Sequence, residues 1–134
     1  MLSDLLRKLN ELIAAITAGN ESTAAEVTTE ITWSAGTSAS PTIDTAGYRS
    51  VGFVLPATFT GNAMYIQGSY DGTNYTNIYD RAGVLVSVPI SQGRSYTLPA
   101  DDILPYRYIK LASVTDAVAV NQGSARTLQI VMRS

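Results

Sequence analysis

Four oxygen-bearing side chains, Asp71, Asn74, Asn77 and Asp80, fall within a ten-residue stretch. Such donors suit a hard cation such as calcium, but their spacing does not match the Asp-x-Asp-x-Asp-Gly loop with its distal Glu. Asp71 also stands before Gly72 as a turn former, so no metal is expected. Asp101 and Asp102 form an adjacent carboxylate pair, and paired carboxylates act as acid and base in glycoside cleavage. Neighbours in an extended segment point to opposite faces, which makes a solvated loop the expected setting.

A serine nucleophile needs a base, and the chain has no histidine. Only Lys8 and Lys110 remain, neither in a Ser-x-x-Lys spacing, and no Gly-x-Ser-x-Gly, P-loop or dinucleotide fingerprint is present. Without cysteine there is no disulfide framework or thiol chemistry. The expectation is a non-enzymatic protein with no cofactor. A net charge of -2 and a pI of about 4.9, with nine scattered Lys and Arg residues, argue against a nucleic-acid partner.

Tyrosine is the remaining chemistry-bearing type, with eight copies. Its apolar body and polar tip suit strand rims, and also subunit contacts or sugar rings. Tyr70, Asn74, Tyr75 and Tyr79 are the candidates for glycan or subunit contact, with Tyr65 and Tyr108 as further exposed aromatics.

These residues need a scaffold, and its centre is the stretch from Met64 to Tyr79. Two runs rich in aromatic and β-branched residues flank Asp71-Gly72, which predicts a tight hairpin turn. Alternation predicts further strands: Val27 to Trp33, Thr42 to Thr45, Tyr48 to Leu55, Val84 to Ile90, Ser95 to Leu98, Tyr106 to Ala112 and Arg126 to Arg133. Trp33 is expected at the edge of the core, Asp80 to Gly83 as a turn, and Pro89 at a sheet edge or strand end. Pro99 to Asp102 and most of Ser113 to Ser124 read as loop. The fold class is mainly β, an antiparallel sandwich or jelly roll of about eight or nine strands.

Ahead of it, Leu2, Leu5, Leu9, Leu12 and Ile16 follow helical spacing, with Leu6 and Ile13 widening the stripe. Ser3 is the expected N-cap, Asp4 suits the first turn, and Gly19-Asn20 is the expected stop. The interrupting polar residues rule out a signal peptide's apolar core or a membrane span. A lone helix of this length is marginal in water, so the stripe needs a partner. Either the β domain covers it, or other copies of the helix do, since the series fits a and d positions of a short coiled coil. The polar stretch that follows reads as a flexible linker and favours an associating arm. The expected organisation is an arm at 1–19, a linker at 20–26 and a β-sandwich domain at 27–134.

The segments Gln67 to Tyr75, Tyr96 to Leu98, Leu104 to Ser113 and Ala125 to Ile130 occur in an order that resembles small virion structural proteins of tailed bacteriophages, of the decoration, cement or head-fibre kind. The resemblance covers roughly Tyr48 to Arg133. It implies a jelly-roll-like domain and a symmetric oligomer, a trimer, carried on a virion after assembly in the host cytoplasm. Its implied partners are further copies of itself and the major capsid protein or another virion protein. More loosely, the hairpin is similar to those of galactose-binding-like jelly rolls, which implies the alternative of a glycan-binding, receptor-recognising module of a tail or fibre.

Overall fold

The structure, a computed structural model, describes residues 1–21, 26–46 and 48–134, without the side chains of 14–21. The expected linker lies largely outside the described residues. Helix α1 spans Leu2–Glu21. Ten strands follow among the described residues: β1 (Glu26–Trp33), β2 (Ile43–Asp44), β3 (Ser50–Val54), β4 (Ala63–Ser69), β5 (Thr76–Asn77), β6 (Ser87–Pro89), β7 (Ser95–Thr97), β8 (Tyr108–Thr115), β9 (Val118–Ala119) and β10 (Arg126–Arg133). A short helix α2 (Ala100–Ile103) lies between β7 and β8.

The strands form two antiparallel sheets. One has the order β1-β10-β3-β7, and the other β2-β8-β4-β5, with β6 also on β4 and β9 on β8. Period-two alternation decides what each sheet buries. Trp33, Val51, Phe53, Leu128, Ile130 and Met132 from the first sheet share one core with Ile43, Met64, Ile66, Ile109 and Leu111 from the second. Trp33 is more central than its expected edge position, with no exposed surface. Its Nε1–H donates to the Thr37 carbonyl at 3.1 Å, and Phe59 meets its ring edge-on at 5.3 Å between centroids.

The chain departs from expectation in three places. The segment Val84 to Ile90 contributes only β6, because Leu85 bridges back to Tyr79 and closes the Asp80 turn, leaving Val84 exposed. Pro89 pairs with Ala63 in that strand, whose one described neighbour is β4, so it does stand at an edge. Asp101 and Asp102 lie in helix α2 rather than in a loop. Finally, β8 continues to Thr115 and turns through Asp116 and Ala117 into β9, within the stretch expected to be loop. Both turn residues have positive φ, 50° and 66°, and neither is the glycine that would have signalled the hairpin. Asn62 supports the turn: Asp116 N–H donates to Asn62 Oδ1 at 3.1 Å, and Asn62 Nδ2 donates to Asp116 Oδ1 at 2.9 Å.

Candidate functional site

Helix α1 carries the first candidate surface. It begins at Leu2, with Leu5 N–H donating to the Met1 carbonyl, so Ser3 lies in the first turn instead of capping it. At the other end the backbone stays helical through Gly19 and Asn20 to Glu21. Glycine weakens a helix by about 1 kcal/mol relative to alanine and need not end it.

Leu2, Leu5, Leu6, Leu9, Leu12 and Ile13 are all more than half exposed, from 51% at Leu9 to 81% at Leu2. Among the described residues nothing covers this stripe, so burial in cis is not what the described structure shows. The Ile16 side chain lies outside the described residues. Arg7 and Asp4 approach at 3.8 Å on the polar side, an exposed pair worth little by itself.

The second candidate surface is the loop from Ser69 to Tyr75. It is not the tight two-residue hairpin expected, because the ladder closes at Gly68↔Thr76 and seven residues bulge beyond it. Asp71 organises that bulge. Its Oδ1 accepts from the amides of Thr73 (2.8 Å) and Asn74 (2.9 Å) and from Ser69 Oγ (2.9 Å), while Asn74 Nδ2 donates to Oδ2 at 2.9 Å. The amides of Asn74 and Thr73, with the Asn74 and Ser69 side chains, hold the Asp71 carboxyl well below the usual carboxylate range. Gly72, at φ +80°, rests against the Tyr108 ring.

The four candidate contact residues therefore separate. Tyr75 is anchored: its hydroxyl meets Thr42 Oγ1 at 2.6 Å and Lys110 Nζ stands 4.5 Å from its ring centre. Asn74 is committed to Asp71. Tyr70 is 83% exposed. Tyr79 lies elsewhere, on a cleft of about 680 Å³ with Asp80, Arg81, Asp101, Asp102 and Tyr106. Asp80 serves its own turn, accepting from the amides of Ala82 and Val84 at 2.9 Å, so Asp71 and Asp80 each organise a separate turn.

Alternation alone did not reveal Asp44, Arg107 or Gln122. Arg107, just ahead of β8, pairs at 3.3 Å with Asp44 of β2, and the Arg107 guanidinium lowers the Asp44 pKa. Gln122 is buried, with its side-chain amide against the Thr60 backbone.

No protein-family model and no curated protein sequence matches the chain. Among solved structures it is similar to the SPBc2 prophage-derived protein YomS, at 13% identity over 82% of this chain and 96% of that one, with a TM-score of 0.49. It is also similar to CBM32-1 from a family 31 glycoside hydrolase of Clostridium perfringens, at 13% identity over 78% of this chain and 76% of that one, with a TM-score of 0.46. At these scores neither likeness bears on what this chain does.

Proposed function

We propose that this protein is a non-enzymatic structural component of a phage particle, which associates through α1 and displays its β domain on the particle surface. The observation that carries the assembly step is the exposed stripe of Leu2, Leu5, Leu6, Leu9, Leu12 and Ile13. Fully burying one such side chain contributes about 1.5–3 kcal/mol, and a symmetric assembly repeats that gain in every copy. The stripe takes in e as well as a and d positions of the heptad, a wider face than a strict a/d seam, and the trimeric state follows the sequence resemblance. The virion setting and the capsid partner rest on the sequence resemblance.

The test is the solution mass of the intact chain beside a Leu5→Glu, Leu9→Glu, Leu12→Glu variant, by light scattering after size exclusion. A trimer that falls to monomer, with Trp33 fluorescence unchanged, supports the reading. An intact chain that is monomeric over the whole concentration range overturns self-assembly. Detection of the chain in purified particles tests the virion setting separately.

Tyr70 favours a second reading, a glycan-binding module of a tail or fibre, because its exposed ring stands on a loop already ordered by Asp71. Saturable binding on a glycan array, weakened at least tenfold by Tyr70→Ala, supports it. A flat array from folded protein rejects it.

A further inference from the structure

We propose that the inner face of β1, formed by Val27, Thr29 and Ile31, is a second contact surface between copies of this chain and packs against the same face of its neighbours around the assembly axis. This rests on the self-assembly reading of α1. Strands β1 and β10 pair along their full length, from Glu26↔Arg133 to Trp33↔Arg126. Cover on the inner face nevertheless fades toward the start of β1: Trp33 is fully buried, Ile31 partly, and Thr29 and Val27 are exposed. The opposing sheet ends there in β2, a strand of two residues that is too short to cover it. What remains is a cleft of about 370 Å³ whose lining includes Val27, Thr29, Ile31, Ile43 and Met132.

The two faces of β1 are finished differently. On the outer face Glu26 pairs with Arg133 at 2.6 Å, and Gln129 Nε2 donates to Glu30 Oε1 at 2.9 Å. Val27, Thr29 and Ile31 carry no ionisable group, and the carboxylate on the cleft's other wall, Asp44, is paired with Arg107 at 3.3 Å, which limits charge repulsion between like faces.

Chain length selects the occupant. Glu21 ends α1 and Glu26 begins β1, a separation that spans at most about 18 Å when extended. A parallel bundle of α1 helices, as in a cyclic trimer, therefore holds the β1 starts within reach of one another at high effective concentration. A second copy is the partner delivered to this cleft by the helix itself.

Because the chain has no cysteine, one introduced thiol reports proximity cleanly. The full chain with Thr29→Cys is compared with Thr28→Cys, on the outer face, under mild oxidation. The expected result is a disulfide-linked pair of chains formed at least tenfold faster from Thr29→Cys, with both variants oligomeric by light scattering. Val27→Asp is expected to weaken assembly about tenfold with the thermal midpoint of the domain retained. Equal or absent crosslinking in a sample that is still oligomeric overturns the β1 contact and leaves the helix reading standing. A monomeric sample overturns both.

Discussion

Gln122 grips the backbone of Thr60 from both sides: the Thr60 amide donates to Gln122 Oε1 at 2.9 Å, and Gln122 Nε2 donates to the Thr60 carbonyl at 2.8 Å. A side-chain amide here copies one rung of a β ladder. Ser113 Oγ accepts a further bond from Nε2 at 3.1 Å, and Arg126 Nε donates to Oε1 at 3.2 Å. Gln122 is 1% exposed, so its removal would take both partners from the half-buried Thr60 amide and carbonyl, while Ser113 Oγ keeps its bond to the Val120 carbonyl at 2.7 Å. Gln122→Ala is expected to cost about 2–3 kcal/mol, and Gln122→Leu no less, because neither restores the bonds. Urea unfolding measures this; a loss below about 0.5 kcal/mol would show that water takes over the partners.

The Asp71 carboxyl titrates below its unfolded value of about 3.9, so its contribution is complete above that pH and is lost as pH falls through the lower folded value. The Thr73 and Asn74 amide resonances should therefore hold their positions from about pH 7 down to about pH 4 and move only in stronger acid. Asp71→Ala should shift both amides at neutral pH and speed their hydrogen exchange. Unchanged resonances in that variant would mean the loop does not depend on this carboxylate.

Ala117 is a strained residue that can be relieved. At φ 66° its Cβ crowds the following carbonyl, a conformation that costs an L-residue roughly 1–2 kcal/mol. Part of that gain is offset by glycine's larger unfolded-state freedom, so Ala117→Gly should stabilise by about 0.5–1 kcal/mol. A raised urea midpoint with an unchanged slope would bear this out, and a lowered midpoint would show that the turn carries no strain.

Gly68 offers the opposite case. A Cβ there would stand 2.6 Å from Tyr106 Cγ and 3.0 Å from Ile78 Cδ1, atoms packed on the core. Gly68→Ala should destabilise by about 1–3 kcal/mol through overpacking. Tyr106→Ala in the same chain opens the space, and a double-mutant cycle should return a favourable coupling between the two changes. Additive losses would contradict direct contact.

Local pattern carried much of this fold. Alternation alone turns Val51, Phe53 and Leu55, Ile109 and Leu111, and Leu128, Ile130 and Met132 inward, and all eight are buried. Helical spacing likewise produced the α1 stripe, and Pro89 marked an edge because it lacks an amide hydrogen to donate. These features depend on residues a few positions apart, which is why they are legible in the sequence.

Tertiary structure decided what depends on distant partners. Tyr75 is indistinguishable from Tyr70 by type and spacing, yet Thr42 and Lys110 anchor one and leave the other in solvent. Tyr79 departs from both because the bridge to Leu85 carries the chain toward α2. The Asp116-Ala117 turn needs Asn62 from another strand's approach, and Gln122 finds its function only at Thr60, 62 residues away. A side chain's pattern tells which face it takes, whereas its availability for contact is set by neighbours that long-range strand pairing brings beside it.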